Sequence, residues 1–449
     1  MIPPKPSSRL GRAGWLRYLR LFRRDILSAQ PAHLYRAWMA EYRTPFFRSY
    51  MMNDPQLVDL VLKGRLADFP KSARVTEGLA PMLGRSVFVT NGAEWARQRR
   101  IIDPAFAGGE VRQAFPAIRA AAEAMVARLS DGVWEIEAET SRAAADAIFR
   151  TLFSVPIEDR LATEVFQAFR VYQRAQPLLN LAAFLRLPVW MPRLHRPRAR
   201  AAARAIRGAV AALVARRARE IATGHAPDDL ATRIMTYVDP ETGTPFTEAE
   251  MVDQVAIFFL AGHETSAAAL AWSLYLLARD PGARKRVRNE GDCRVFSDLS
   301  SHAFTRDVVR ETLRLYPPVP MMVRETVRAE TFRGRPAPKG AQIVLSPWHL
   351  HRHERIWESP DAFDPDRWRR AETKRAARQA FLPFSAGPRV CPGAGFAMAE
   401  LVVMVAAVVD AFELSPDGPP PVPVAHLTVR SRDGIQLKLR RIHSGRTAD

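Results

Sequence analysis

Along five stretches of this chain apolar residues return every three to four positions, the spacing of one face of an α-helix. They are Ala117–Leu129, Ala199–Ile221, Thr247–Ala278, Thr305–Tyr316 and Pro392–Phe412. Shorter segments rich in β-branched and aromatic residues interrupt them at Phe46–Met52, Val323–Phe332, Gln342–Leu345 and Thr428–Leu439, and these predict strands. Proline-rich turns cluster between Pro317 and Pro388, and no internal repeat or low-complexity linker divides the chain. The pattern predicts a mainly α protein with small β-sheets. Residues 31–441 read as a single domain, after a basic amphipathic segment (1–30) and before a polar tail (442–449).

Two of the helices dominate. One opens at Thr247 with Glu250 three residues on, a capping-box signal. It runs apolar through Phe258, Phe259 and Leu260 and stops before Asp280-Pro281-Gly282. An element that long and that apolar belongs at the centre of a fold. The other starts directly after Cys391, with Pro392 at the first helical position, where a missing N–H costs nothing.

Composition narrows the function. With 449 residues, 47% of them hydrophobic, the chain has ample material for a core. Its formal charge of +19 comes from arginine, since only seven of the 66 basic residues are lysine. The arginines are dispersed and lack a nucleic-acid recognition fold, so nucleic acid is not an expected partner. Cys293 and Cys391 stand far apart, which gives neither a disulfide framework nor a paired-cysteine zinc site and suits a reduced, cytoplasmic compartment. No uninterrupted apolar run reaches the ~18 residues that span a bilayer, so no transmembrane anchor is expected. Within Trp15–Leu27 charges interrupt the apolar pattern, unlike a secretory signal. Leu16, Leu19 and Phe22 recur there at helical spacing and are expected to pack onto the protein body, with contact at a membrane interface as the alternative.

Chemistry concentrates around Cys391. A helix N-terminus offers unpaired N–H groups and a positive dipole end, which favour the metal-binding thiolate. Gly393 and Gly395 clear the backbone for a flat ligand, and Arg389 places a cation two residues away. By itself a cysteine so placed is more often inert than a ligand. Its surroundings change that. Phe384-Ser385-Ala386-Gly387-Pro388-Arg389-Val390-Cys391-Pro392-Gly393 fits an FxxGxRxCxG loop at every fixed position. Upstream, in order, come Trp95-Ala96-Arg97-Gln98-Arg99, Ala261-Gly262-His263-Glu264-Thr265-Ser266, Glu311-Thr312-Leu313-Arg314 and Phe363-Asp364-Pro365-Asp366-Arg367-Trp368. From about Arg43 onward the chain resembles the cytochrome P450 family.

The resemblance implies the fold of that family, with haem b (iron protoporphyrin IX) between the long central helix and the helix of the cysteine loop. It makes Cys391 the iron ligand, with Phe384 beside the sulfur. Trp95, Arg99, Arg324 and Arg389 would hold the haem propionates, and Ala261 and Gly393 would flank the ring. Thr265 and Glu264 would form the acid–alcohol pair that delivers protons to dioxygen, while Gly262 would let the helix bend. His263, one position from Glu264, faces elsewhere and reads as structural. Glu311, Arg314 and Arg367 would brace the haem loop. The implied activity is insertion of one atom of O2 into a small apolar substrate, by hydroxylation, epoxidation or oxidative dealkylation. Electrons would come from a separate ferredoxin and ferredoxin reductase, since no flavin or nicotinamide fingerprint is present; a monomer is expected. The rival readings are a haem-thiolate peroxygenase or isomerase, and a haem-dependent ligand sensor. The expected pocket draws on Val75–Val89 with Phe88, Leu178–Trp190 with Phe184, Ile257–Ala261 with Phe258, and Val319–Met322.

Overall fold

The capping box at Thr247 forms as its sequence predicts. The Thr247 hydroxyl accepts from the Glu250 amide at 3.2 Å, and the Glu250 carboxylate accepts from the Thr247 amide at 2.9 Å. In this computed structural model, which describes residues 1–9, 11, 14–43, 47–107, 109–175, 197–425 and 428–442, the cap starts a helix of 32 residues. Leu178–Trp190, Phe46 and the tail beyond residue 442 lie outside the described residues. Among the described residues, the helices that frame the site are α1 (Gly92–Ile102), α2 (Glu110–Arg128), α3 (Ile136–Phe153), α4 (Arg160–Ala175), α5 (Pro197–Ala222), α6 (Glu248–Arg279), α7 (Ala303–Leu315) and α8 (Ala394–Ala411).

Helix α6 is the axis of the protein. Its C-terminal half, from Ala269 to Ala278, packs with α2, α7 and α8 in one hydrophobic core. Its N-terminal half, Met251 to Leu260, packs with α3, α4 and α5 in a second. Gly262 lies where α6 meets α3: a Cβ there would stand 2.9 Å from Ile148 Cδ1. Close helix packing therefore accounts for this glycine, which the sequence had assigned to bending.

A third core lies under a four-stranded sheet of β1 (Met39–Arg43), β2 (Arg48–Met52), β3 (Met322–Glu325) and β4 (Gln342–Leu345). Its order is β1-β2-β4-β3, with β2 and β4 parallel and the other pairs antiparallel. The segment read as one strand, Val323–Phe332, is two. Beyond Glu325 the amides of Thr326 and Val327 bond to Ala341 and Asp68, and Glu330–Phe332 forms a separate hairpin with Arg335–Ala337. Thr428–Leu439 likewise divides at Gly434, whose φ of 81° belongs to the left-handed region that glycine favours. It yields β5 (Pro423–Ala425) paired with β6 (Val429–Ser431), and a later strand, Gln436–Arg441.

Helices α6 and α8 are each long and apolar enough to cross a membrane, which amends the expectation drawn from uninterrupted runs. Most of each apolar stretch is buried inside the protein, 78% and 61%, so both serve as core helices. The N-terminal segment lies against the body, but Leu16, expected to pack there, is 66% exposed. Tyr18 stacks on Tyr42, and the Tyr316 hydroxyl donates to the Pro4 carbonyl at 2.6 Å.

Candidate active site

Between Gln254 and Ala278 every residue of α6 is buried save Ala261, Gly262 and Thr265. These three open a window in the middle of an otherwise enclosed helix. The Thr265 hydroxyl donates to the Ala261 carbonyl at 2.5 Å, the usual resting bond of a mid-helix threonine. Of the stretch Ile257–Ala261, expected to line the pocket, only Ala261 is open; Phe258 packs edge-on against Phe106 in the core.

Glu264 does not share that window. Neighbouring helix positions point about 100° apart, and its buried carboxylate accepts from Thr428 at 3.0 Å and Arg430 at 2.5 Å. Its expected partnership with Thr265 is therefore corrected: Glu264 is the anchor by which β6 is tied to α6. His263 is structural, as read. It is enclosed by Phe166, Phe169 and Phe259, bonds to Ser141 at 2.8 Å, and burial pushes it down to about 3.

The cysteine loop folds back on itself through the Cys391 amide, which donates to the Phe384 carbonyl at 2.9 Å. Gly387 turns it with a φ of 67°, and a Cβ there would collide with the Leu62 carbonyl, so only glycine fits. Helix α8 begins at Ala394, three residues after the cysteine, so Pro392 precedes it. Cys391 is exposed, yet close surroundings push its thiol up, opposed by the Gly393 amide and by Arg99. Burial and these two groups thus act on the thiol in opposite directions. Gly393 has only the Phe106 ring near it, 3.8 Å from a would-be Cβ.

On one flank of this loop the structure gathers four cations. Arg389 donates to the Phe69 carbonyl at 3.0 Å and to Asn91 at 3.2 Å, and lies over the Trp95 ring at 5.3 Å. Arg99 donates to the Val390 carbonyl at 2.7 Å and pairs with Asp103. Arg324 reaches the group from β3, its Nε buried without a partner, as is that of Arg389. Trp95, Arg99, Arg324 and Arg389 thus come together as the sequence proposed. The fourth cation, Lys71, was missed. It donates to the carbonyls of Val87 and Thr90 at 2.5 and 3.0 Å and lies 5.7 Å from the centre of the Trp95 ring. Burial, with Arg389, Arg324 and Arg99 alongside, pushes it down to about 6. Burial also pushes Arg324 and Arg389 down to about 10.

Among the described residues no carboxylate answers Lys71, Arg324 or Arg389. Buried cations without an anion are costly, and orphaned guanidinium nitrogens mark where one belongs. A group carrying carboxylates beside the cation cluster and a metal over the sulfur fits this donor set, and haem has both. Behind the loop, Glu311 of α7 is the hub of a buried network. Arg314 meets it through two bonds at 2.8 and 2.9 Å, and Arg367 through one at 2.9 Å. Glu400 of α8, also missed, is wholly buried, accepts from Ser266 at 2.6 Å and is pushed up to about 8 by burial. It fastens the cysteine helix to α6.

A family model described as Cytochrome P450 matches residues 5–439, beginning well before Arg43, from which the resemblance was read. The chain is 33% identical over 420 residues to the cyclooctat-9-en-7-ol 5-monooxygenase of Streptomyces melanosporofaciens, covering 88% of this chain and 86% of that one. It is 31% identical over 413 residues to the cyclooctatin synthase of the same organism, covering 87% and 85%. With cytochrome P450 4A11 of Homo sapiens it shares 30% over 418 residues, covering 87% and 79%. A crystal structure of a triple mutant of the cytochrome P450DA heme domain superimposes with a TM-score of 0.81 at 24% identity, covering 100% of this chain and 99% of that one, a likeness of fold. With the open thiol and the cation cluster in place, these matches make the chain a member of the cytochrome P450 family, whose cofactor is haem.

Proposed function

We propose that this chain is a haem-thiolate monooxygenase that inserts one atom of O2 into a small apolar substrate, and that Cys391 holds the iron. The observation that carries the site assignment is the open, desolvated Cys391 beside three cations that lack an anion. Haem, here haem b, supplies the activation of O2. The rest falls to the protein. Lys71, Trp95, Arg99, Arg324 and Arg389 bind the propionates, Phe384 and Gly393 flank the sulfur, and Ala261 bounds the distal face. Thr265, whose Oγ1 proton rests on the Ala261 carbonyl, would be the hydroxyl that holds a proton for the oxygen chemistry haem would supply. Electrons come from a separate ferredoxin and its reductase, in the cytoplasm, to a monomeric enzyme. The test is turnover of an apolar substrate panel with a surrogate ferredoxin system under isotopically labelled O2. Label in the product at one atom per turnover is expected; product formed without reductant would refute the reading.

Thr265→Ala separates a proton-holding hydroxyl from one that merely bonds its own helix. The variant is expected to fold, bind haem and bind substrate, but to release more of its electrons as peroxide. A positioned proton donor contributes ~10²–10⁴-fold, so product per reductant consumed should drop clearly even if water partly substitutes. An unchanged ratio removes Thr265 from the mechanism.

Lys71→Met tests the cation cluster. Without a carboxylate the Lys71 ammonium titrates near 6. A propionate beside it would raise that value, so haem uptake at neutral pH would draw a proton to Lys71. Haem retention should therefore weaken as pH rises above 6, whereas Lys71→Met should hold haem less well and lose that part of the pH dependence. Equal retention profiles in both proteins would place Lys71 outside the propionate site.

A further inference from the structure

The helix Trp15–Arg24 near the N-terminus has two unlike sides. Tyr18 and Phe22 face inward, Tyr18 against Tyr42 and against the Gln30 amide. At the helix end the Asp25 carboxylate accepts from the amides of Leu27, Ser28 and Ala425, which fixes the helix to β5. At about 100° per residue, Leu16, Arg17, Arg20 and Arg24 fall on one arc roughly 100° wide, and all four are exposed. Leu16, at one edge of that arc, is 66% exposed. None of the three arginines pairs with a carboxylate among the described residues. The first thirty residues hold seven basic side chains and one acid, and that acid, Asp25, is turned inward and buried. The outward stripe is thus cationic with an apolar tip, on a helix held rigidly from behind.

We propose that this stripe docks the protein onto a membrane surface bearing anionic phospholipid headgroups. The guanidiniums match headgroup phosphates, and Leu16 enters the headgroup layer beside them. A nucleic acid offers Leu16 nothing, and an acidic protein face would not need it. The attachment is peripheral and electrostatic, with the apolar side of the helix committed to the protein. It does not depend on the reaction assigned above.

The experiment is co-sedimentation of the purified holoprotein with vesicles of phosphatidylcholine alone or mixed with phosphatidylglycerol. Binding to the mixed vesicles only is expected, released as salt shortens the screening length. Each arginine contributes about fivefold near an anionic surface, so Arg17→Gln with Arg20→Gln and Arg24→Gln should weaken binding roughly a hundredfold. A matched variant at three exposed arginines of α5, Arg198→Gln with Arg204→Gln and Arg219→Gln, removes the same charge and should bind as the parent does. Equal loss in both variants would reduce the effect to net charge and overturn the proposal. So would equal binding to neutral vesicles. Leu16→Ser should weaken vesicle binding at unchanged charge; no effect of this change would overturn the part of the proposal that puts Leu16 in the headgroup layer.

Discussion

Replacing Cys391 by serine is expected to abolish the red-shifted Soret band of the reduced protein under carbon monoxide, and the activity with it. Serine is nearly isosteric, and the backbone bond from position 391 to the Phe384 carbonyl survives the change, so the loop should keep its shape. What is lost is the sulfur, whose electron donation sets both the spectrum and the cleavage of O2. Cys391→His should likewise lose the band while offering a different ligand. The control is the other thiol. Cys293 is fully buried in the core shared with α2 and α8, and burial beside Asp298 and Asp292 pushes it up to about 12. It is an inert core residue, and Cys293→Ser should keep both band and activity. Loss of the band in Cys293→Ser alone would show that the ligand had been misassigned.

The contrast between the two cysteines shows what a sequence discloses. Cys391 is legible because its chemistry is local: the turn at Gly387, the bond back to Phe384 and the cation at Arg389 lie within eight residues of the sulfur. Glu311 and Arg314 are legible for the same reason, three apart on one helix face. Lys71 and Arg430 are not, because what matters about them is which distant charged group the fold brings beside them. Lys71 meets Arg324 across more than 250 residues, and Arg430 meets Glu264 across 166. One signal for Lys71 was in view, a lysine retained in a chain that uses arginine almost everywhere else. Glu264 was misread for a different reason. The rule that separates His263 from Glu264 on the helix separates Glu264 from Thr265 equally, and the structure applies it to both.

The helices divide in the same way. Helices α5 and α7, each with one wet face, were found to within two residues, although α4, with a wet face too, was not read as a helix. Helix α3 was missed because it is buried nearly all round from Ala143 to Phe149, so its apolar and polar positions do not alternate with a helical period. Helix α2 was begun late, after Pro116, although a proline seven residues into a helix can be accommodated where the early turns are anchored elsewhere. Here the resemblance supplied the fold before the periodicity did.

Removing either end of the Glu311–Arg314 pair is expected to leave little protein with haem. Both side chains are fully buried, and Arg367 is 2% exposed. Arg314 also donates to the carbonyls of His351, Pro360 and Ala362, and Arg367 to those of Glu358, Ser359 and Ala362. Glu311 further accepts from the Asp364 amide at 3.0 Å. One carboxylate thus holds two arginines that hold the 351–364 segment, and the His351 ring, accepting from the Leu382 amide at 2.8 Å, passes that order to the start of the cysteine loop. Glu311→Ala strands two buried guanidiniums, and Arg314→Ala strands a carboxylate and three carbonyls. Breaking a buried pair from one side costs about 3–5 kcal/mol, a large part of the ~5–15 kcal/mol that holds a domain folded. Glu311→Gln should be milder, since an amide still accepts from one arginine. The measurement is haem content per mole of purified chain, with thermal unfolding of whatever is recovered. Near-normal haem content and an unchanged melting temperature in both alanine variants would show the network to be dispensable, and the loop would have to owe its shape to the Phe384–Cys391 turn alone.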